Sequence, residues 1–254
     1  MKRFILSEEP FKNGMIKLSD KDYHYLVRVR RFKAGDIFNA FLPSGIEVKV
    51  RVDSITEKEL LGHCLPLETK EETLNLTPIV LFQGLPKASK MDLIVRQATE
   101  AGISEIIPFT SEYSMPKQEF KIERWNKIIK EARQQSGSSI STLIKSPCDL
   151  DNVSVYWENL KSRYSKSVGI VLHQDYVEDG SFHSYLNSDP YVVVLVVGPE
   201  GGFSSNEIKR FLSIGFKALT LGPNILRCET AVLYVTAVVR IILLESKSWI
   251  LKNQ

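Results

Sequence analysis

The sequence predicts an α/β protein in which a small β domain precedes a larger domain with a mostly parallel sheet. Two observations support this prediction. Apolar residues occupy every second position from 46 to 52, the period of two that is typical of a half-buried strand. Beyond a polar segment that ends at Pro78, buried strands alternate with amphipathic helices, which is typical of a parallel sheet covered by helices on both faces.

The composition is that of a folded protein with a full hydrophobic core. The chain has 254 residues, of which 43% are hydrophobic and 25% are charged, a balance typical of one large or two ordinary globular domains. The formal net charge is only +3. A nucleic-acid-binding surface would therefore have to be a local basic patch, because the molecule as a whole is only mildly basic.

The cysteines and the apolar segments indicate where the protein works. The three cysteines are far apart, and the sequence has neither a CxxC pair nor an HExxH motif, which argues against a disulfide framework or a structural metal. We therefore expect no metal and a reducing, cytoplasmic location. The chain opens without a signal-peptide pattern, and the apolar stretch 231–244 is too short to span a bilayer, so we expect no membrane partner.

Turn signals divide the first part of the chain into short strands. Gly14, Gly35 and Gly45 each separate apolar runs, and closely spaced short strands predict a small β-barrel or sandwich. The polar segment LETKEETLNLTP at 67–78 then marks a boundary. We assign the two domains to residues 1–72 and 73–254.

The second domain is predicted to alternate strands and helices. Short, almost wholly apolar runs predict buried strands, and apolar residues spaced three and four apart predict helices. The predicted strands are 79–85, 103–109, 168–174, 191–197 and 217–222. The predicted helices are 90–102, 122–137, 205–215 and 230–245.

The loops that follow these strands are the candidates for chemistry, because ligands of open α/β sheets bind beyond the carboxyl ends of the strands. The loop GPEGG at 198–202 contains two adjacent glycines, which allow a ligand to approach the main chain closely. Ser204 and Glu207 have the spacing of a capping box, and free N–H groups at a helix start favour an anion such as phosphate. Neither GxxxxGK[ST] nor GxGxxG is present, so a simple strand-to-helix turn is an equally good interpretation.

A second loop, LGPNILRCET at 221–230, contains apolar side chains where a loop has few other reasons to be apolar. Ile225 and Leu226 suit a flat heterocycle such as adenine, whose edge main-chain groups would recognise, although core packing would also explain them. Arg227 could equally form a surface ion pair. Glu229 could equally be a first-turn carboxylate that faces the helix dipole.

Together the two loops resemble a known family. GPEGGFSSNEI at 198–208 and LGPNILRCETA at 221–231 are similar to the paired signature of the knotted, S-adenosylmethionine-dependent RNA methyltransferases. More specifically, they resemble the ribosomal RNA small subunit methyltransferase E family, which methylates N3 of a uridine in 16S rRNA. The segments 24–36, 90–114 and 123–137 are similar to other parts of that family, so the resemblance covers nearly the full chain.

The chain departs from the family pattern at four positions. Ser138 and Ser141 stand where the family commonly has an arginine and a proline, and Cys228 stands where threonine is usual. Tyr113 replaces an arginine that the family often has. The two lost arginines put some RNA contacts in doubt and leave the cofactor loops unaffected.

The resemblance implies a C-terminal α/β trefoil-knot (SPOUT) domain preceded by a small PUA-like β-barrel domain. It implies a homodimer that acts on 16S rRNA of the small ribosomal subunit, with S-adenosylmethionine bound in a bent conformation by the loops. The cofactor-binding residues that it implies are Leu172, His173, Gly198, Pro199, Glu200, Gly201, Gly202, Leu221, Gly222, Ile225, Leu226, Thr230 and Ala231.

The resemblance also suggests roles for charged side chains. We hypothesise that Arg227 stabilises negative charge on the uracil oxygens, and that Glu229 orients Arg227 or accepts the N3 proton; a purely structural role for Glu229 stays open. A basic cluster, Arg28, Arg30 and Arg31, is interpreted as a phosphate-binding patch, with residues 28 and 30 on one face of a strand. A solvated charge run is the alternative.

Three other functions are compatible with parts of the sequence. A related knotted enzyme that methylates the ribose 2′-oxygen shares the two C-terminal loops, so these loops do not separate the two reactions. A non-catalytic RNA-binding protein would not need intact cofactor loops. A nucleotide hydrolase built on the glycine loop would need the lysine and metal carboxylates that the sequence lacks.

Overall fold

The computed structural model describes residues 4–65, 76–114, 122–174, 182–186 and 188–245. The chain forms two units. The first is Met1–Asn75 with Lys130–Ser141, and the second is Leu76–Ile129 with Thr142–Gln254. The boundary assigned between residues 72 and 73 falls outside the described residues and stays a prediction. Nothing in the sequence indicated that the later segment belongs to the first unit.

The first unit is a five-stranded sheet that curls into a half-barrel. Its strand order is β1-β3-β4-β5-β2; β1 and β3 are parallel and the other pairs are antiparallel. In β4 the valines at 48, 50 and 52 are buried, which confirms the alternation, whereas Ile46 precedes the strand and is exposed. The strands are β1 (Phe4–Ile5), β2 (Met15–Leu18), β3 (Ile37–Phe41), β4 (Glu47–Ile55) and β5 (Leu60–Leu65).

The arginine-rich segment of this unit is helical, so the prediction that it is a strand is wrong. A short helix, α1 (Asp20–Tyr23), continues directly into a π-helical segment, His24–Val29. Tyr23 and Leu26, three residues apart, both bury against the sheet, which is the spacing of one face of a helix. The helical segment ends at Val29, and Arg31, two residues later, has a φ of 59° in the left-handed region.

The segment Lys130–Ser141 is held to α1 and to the loop between β3 and β4 by side-chain contacts. The Lys130 ammonium lies 3.5 Å from a carboxylate oxygen of the buried Asp22. The Ser141 hydroxyl donates a hydrogen bond of 2.9 Å to the carbonyl oxygen of Pro43. This segment is therefore a structural part of the first unit although it is distant in sequence.

The second unit contains a six-stranded sheet in which every pair of neighbours is parallel, as predicted. The strand order is β11-β9-β10-β6-β7-β8. The strands are β6 (Ile79–Gly84), β7 (Glu105–Phe109), β8 (Leu143–Ile144), β9 (Ser167–Leu172), β10 (Val192–Val197) and β11 (Lys217–Leu219). The helices are α2 (Ala88–Glu100), α3 (Ile122–Ser136), α4 (Leu150–Arg163), α5 (Phe182–Leu186), α6 (Ser205–Ser213) and α7 (Cys228–Glu245).

Helices cover both faces of this sheet, and the two central strands β6 and β10 are buried at every position. Residues of α2 and α7 pack on one face, and residues of α4 and α6 pack on the other. The sequence patterns did not predict α4. Its Trp157 is buried, its ring centre lies 4.7 Å from that of Phe216 at an interplanar angle of 45°, and it donates a hydrogen bond of 2.9 Å to the carbonyl oxygen of Ile214.

These findings confirm the α/β class, with a parallel-sheet domain preceded by a small β domain. The trefoil threading of the C-terminal chain stays a prediction. In the described part of the chain, none of the helices combines the length and apolar character that crossing a membrane requires.

Candidate functional site

A cavity of about 370 Å³ opens at the carboxyl edge of the parallel sheet. Its volume lies within the range of small-molecule sites, and its place agrees with the rule for ligand sites in open α/β sheets. The chain segments that follow β9, β10 and β11 form its walls, together with the start of α2. The residues that line it are Lys90, Leu172, His173, Gln174, Val197, Gly198, Pro199, Glu200, Gly201, Gly202, Phe203, Leu219, Thr220, Leu221, Gly222, Pro223, Asn224, Ile225, Leu226, Arg227, Cys228 and Ala231.

The wall formed by residues 198–202 depends on close backbone contacts that only glycine permits. A Cβ atom on Gly84, at the end of β6, would lie 2.7 Å from Cδ of Pro199. A Cβ atom on Gly198 would lie 3.1 Å from the carbonyl carbon of Gly202, which itself has a φ of +70°. The left-handed φ of Gly202 and the close approach at Gly84 and Gly198 are therefore properties of the turn itself, whatever ligand the turn contacts.

A buried glutamine fixes the ends of the two central strands. Gln83 is fully buried, and its amide nitrogen donates to the carbonyl oxygens of Gly84, Val197 and Gly198 at 2.8, 3.3 and 3.3 Å. One side chain thus holds the last carbonyl groups of β6 and β10 in place. This contact positions the backbone from which the cavity wall begins.

Glu207 connects the cavity wall to the turn that follows β7. One carboxylate oxygen of Glu207 accepts from the backbone N–H of Ser204 at 2.9 Å, and the Ser204 hydroxyl accepts from the N–H of Glu207 at 3.3 Å, which is a complete capping box. The other oxygen of Glu207 accepts from the N–H of Glu112 at 2.9 Å. The predicted helix start is confirmed, and the additional contact to Glu112 is new.

The second wall is the loop between β11 and α7. Gly222 has a φ of +119°, so the sharp bend there favours glycine. Leu226 is half-buried and packs against the core cluster that contains α7, whereas Ile225 is 83% exposed. Core packing therefore accounts for Leu226 and does not account for Ile225.

Lys90 joins the two walls through a pair of carboxylates. Its ammonium nitrogen lies 3.4 Å from a carboxylate oxygen of Glu200 and 3.7 Å from one of Glu229. The same oxygen of Glu200 accepts from the backbone N–H of Lys87 at 3.2 Å. The first turn of α2 thus connects the 198–202 loop to the first turn of α7.

These contacts lower the pKa of both carboxyl groups. Burial alone would raise the pKa of Glu200, but hydrogen bonds from its own N–H and that of Lys87, with the charge of Lys90, outweigh burial and lower it. Burial also acts to raise the pKa of Glu229, and its own N–H, the Cys228 thiol and the charge of Lys90 reverse the effect. Both side chains are therefore anionic at neutral pH.

Cys228 is buried at the start of α7 and donates from its thiol to a Glu229 oxygen at 3.2 Å. Burial first, and the Glu229 carboxylate second, raise the pKa of this thiol to about 12. The side chain is therefore a neutral hydrogen-bond donor, a role that the hydroxyl of threonine would also perform. This departure from the family pattern preserves the local chemistry.

The structure brings most of the predicted site residues together. Of the thirteen implied cofactor-binding residues, all but Thr230 line the cavity, and Arg227 lines it as well. Thr230 is exposed on the first turn of α7, and the Glu229 side chain points to Lys90. Sequence reasoning missed Lys90, whose only signal was its position shortly after a strand end. It also missed Gln174, Val197, Phe203, Leu219, Thr220, Pro223, Asn224 and Cys228.

The basic cluster lies in the first unit, apart from these residues in the chain. Arg28, Arg30 and Arg31 are all exposed, and the Arg30 guanidinium lies 5.8 Å from the centre of the Phe32 ring. No group of three or more acidic, histidine or cysteine side chains within the described ranges is arranged to hold a metal ion.

Family models match both parts of the chain. A model of the RNA methyltransferase domain matches residues 72–240, and a model of the RNA methyltransferase PUA domain matches residues 18–63. The first match spans the whole cavity wall from the end of β6 to the first turns of α7. The second includes the basic cluster.

Curated relatives match over almost the full chain. The ribosomal RNA small subunit methyltransferase E of Aquifex aeolicus is 34% identical over 237 residues, which is 91% of this chain and 96% of the relative. The Bacillus subtilis protein of the same name is 30% identical over 234 residues, with 87% and 88% covered.

Solved structures agree in fold. The chain resembles a ribosomal RNA small subunit methyltransferase E from Neisseria gonorrhoeae bound to S-adenosyl methionine, at 24% identity and a TM-score of 0.76, with 95% of this chain and 98% of that chain covered. It also resembles a Legionella pneumophila protein in complex with the cofactor SAM, at 25% identity and a TM-score of 0.74, with 94% and 97% covered.

The Lys90 contacts generate a prediction about pH. Carboxyl groups with lowered pKa stabilise the folded state above their unfolded pKa of 4.5, and this stability is lost as the pH falls through the folded pKa. We expect Lys90→Gln to be less stable than the unmodified protein at pH 7, with a difference that shrinks as the pH falls below 4.5. Urea unfolding at a series of pH values measures this difference.

The control is Lys209→Gln, which removes an exposed lysine from α6. This variant should track the unmodified protein at every pH. A Lys90 variant with a constant deficit from pH 7 to pH 3 would show that Lys90 acts through packing and not through the two carboxylates.

Proposed function

Because the chain belongs to the ribosomal RNA small subunit methyltransferase E family, we propose that it transfers a methyl group from S-adenosylmethionine to N3 of a uridine in 16S rRNA. The observation that carries the proposal is the cavity whose walls are the two irregular loops at 198–202 and 221–227. We also propose that the protein works in the cytoplasm, where it would meet the small ribosomal subunit.

The residues of the cavity fit S-adenosylmethionine better than a polyphosphate. A phosphate chain needs several free cations, but Lys90 is already paired with Glu200 and Glu229. Leu172, Leu221 and the main chain of 198–202 offer apolar contact and backbone hydrogen bonds, which suit an adenine ring. When bound, S-adenosylmethionine supplies an electrophilic methyl group on a positively charged sulfur.

Arg227 is our candidate for stabilising the substrate. Its side chain is exposed at the cavity, directly before the first turn of α7. N3 of uracil becomes nucleophilic only when its proton leaves to solvent water, and the resulting negative charge spreads to the two carbonyl oxygens that flank N3. A guanidinium at this position would hold that charge with paired N–H donors.

Glu229 is better suited to orienting its neighbours than to accepting the proton. Its lowered pKa makes it a weak base near neutral pH, where an efficient general base would have a pKa close to 7. Its carboxylate also binds Lys90 and the Cys228 thiol. We therefore assign Glu229 a positioning role at the start of α7.

The central experiment incubates undermethylated 30S subunits with labelled S-adenosylmethionine and identifies the modified nucleoside by mass spectrometry. We expect N3-methyluridine. Arg227→Gln should lower the single-turnover rate about 10²–10³-fold, the cost of one electrostatic contact made in the transition state. Glu229→Gln should lower the single-turnover rate less than the loss of a general base would, which is about 10²–10⁴-fold.

Arg163→Gln is the matched control, because this arginine ends α4 shortly before the amino end of β9, at the edge of the sheet away from the cavity. It should methylate at the unmodified rate. Recovery of a ribose-methylated nucleoside would instead establish the 2′-O reaction, and absence of S-adenosylmethionine binding would leave a non-catalytic RNA-binding protein.

We further propose that the first unit binds the RNA backbone through Arg28, Arg30 and Arg31. The three side chains are exposed within four residues of chain, and the PUA-domain match includes them. The helical backbone changes how they are arranged but leaves all three accessible. Such a patch would hold phosphates without reading bases.

The salt dependence of RNA binding tests this patch. Each lost phosphate contact should reduce the slope of log K against log salt by about 0.7–1 unit. We expect this reduction for Arg28→Gln and for Arg30→Gln, and no change for Lys58→Gln, which removes an exposed lysine between β4 and β5. Slopes equal to that of the control would identify the cluster as a solvated charge run.

We also propose that the enzyme is a homodimer that associates through α7. This helix is the most apolar in the chain, and its buried residues already face the sheet. Leu233, Tyr234 and Ile241 are nevertheless exposed, and their spacing of seven and eight residues places them on one outward side. A second copy of the same helix would cover this apolar stripe.

Sedimentation tests the dimer. Leu233→Glu and Ile241→Glu place a charge within the apolar stripe, so each should shift the protein from dimer to monomer at micromolar concentration. Val155→Glu, at an exposed apolar position on α4, is the control and should remain dimeric. A dimer that persists in both α7 variants would exclude this helix as the interface.

A further inference from the structure

An exposed aromatic side chain lies against the wall of the cavity. Tyr113 belongs to the turn that follows β7, and 50% of it is accessible. A Cβ atom on Gly201 would lie 2.9 Å from Cβ and 3.4 Å from Cγ of Tyr113. Gly201 lines the cavity, so the Tyr113 side chain lies directly beside the cavity wall that Gly201 helps to form.

The turn that carries Tyr113 is fixed by hydrogen bonds. The Ser114 N–H donates to the carbonyl oxygen of Ser111 at 3.0 Å, and the Ser111 N–H donates to the Ser114 hydroxyl at 3.0 Å. The Glu112 N–H donates to the buried Glu207 at 2.9 Å. The ring is therefore presented by a rigid support, so little conformational entropy would be lost when a ligand contacts it.

The hydrogen bonds of this turn account for the backbone conformation at Tyr113, but they do not account for an aromatic ring at this position. Phe109, four residues earlier, stacks on Phe203 in the core, as a structural aromatic residue does. Tyr113 instead remains half accessible beside the cavity, and Ile225 remains accessible on the opposite loop. Two large apolar surfaces thus lie on loops at the same edge of the sheet.

We propose that Tyr113 stacks on an unpaired base of the RNA substrate as the target nucleotide enters the cavity. The proposal rests on the proposed methylation at N3. In a base pair this atom donates the hydrogen bond to the partner base, so the target can react only when it is unpaired. Proteins bind unpaired RNA bases by stacking them on aromatic side chains, and each base has a flat face that suits a tyrosine ring.

The competing explanation is that Tyr113 only shields the backbone of Gly201. Leucine would also shield this backbone but offers no flat ring, whereas phenylalanine offers the ring without the hydroxyl. Tyr113→Leu and Tyr113→Phe therefore separate stacking from shielding. Tyr191→Ala is the matched control, because Tyr191 is 52% exposed but precedes β10, at the opposite edge of the sheet.

The experiment measures the initial rate of methylation as a function of the concentration of undermethylated 30S subunits, and S-adenosylmethionine affinity by calorimetry. We expect Tyr113→Ala and Tyr113→Leu to raise the KM for 30S subunits about 5- to 150-fold, the effect of losing one stacked base, with unchanged cofactor affinity. Tyr113→Phe and Tyr191→Ala should behave like the unmodified protein.

Two results would overturn the proposal. A Tyr113→Leu variant with an unchanged KM would show that shielding is sufficient, and a loss of cofactor affinity in Tyr113→Leu would show that the side chain serves the cavity wall. Both remain distinct from failure of the proposed function, which would appear as absence of N3-methyluridine with the unmodified protein.

Discussion

The close approach of backbone segments at the carboxyl ends of β6 and β10 is the constraint on which the cavity depends. A Cβ atom added to Gly84 would lie 2.7 Å from Pro199, and one added to Gly198 would lie 3.1 Å from the backbone of Gly202. The Gln83 amide bridges the last carbonyl groups of the same two strands. Both strands are buried at every position, so the packed core holds this geometry and the strand ends cannot shift independently of the core.

The parallel sheet brings the loops that form the site together at this fixed edge. Since every strand points the same way, each one sends its following loop to the same edge. Polar contacts then join these loops sideways: Lys90 connects α2 to the 198–202 loop and to α7, and Glu207 connects α6 to the turn after β7. The Lys90 ion pairs are only partly buried and contribute modestly to stability, but they hold the groups that they join at fixed relative positions. The acidic residues of this site are thus structural connectors more than chemical reagents.

Residue patterns with a local cause were predictable from the sequence. The valine run of β10, the capping box at Ser204 and the adjacency of the two loops all follow from periodicity, from helix-start chemistry or from the rule for parallel sheets. Features decided by tertiary contacts were not. The segment around Arg28 was interpreted as a strand, but Tyr23 and Leu26 bury at helical spacing against the sheet of the first unit. The roles of Lys90 and Tyr113 depend on partners more than 85 residues away in the chain, about which local sequence says nothing.

The discontinuous first unit has a consequence for synthesis of the protein. Its half-barrel is encoded by residues up to Asn75, but Lys130 and Ser141, which contact Asp22 and Pro43, are made later. At typical rates of about 5–20 residues per second, the ribosome needs roughly 3–13 s to reach the end of that segment. During this interval the nascent half-barrel lacks its last component, while the first strands of the parallel sheet have already been made. The amino-terminal unit is therefore completed only after synthesis of the catalytic unit has begun, and truncation near residue 75 would not yield the whole of it.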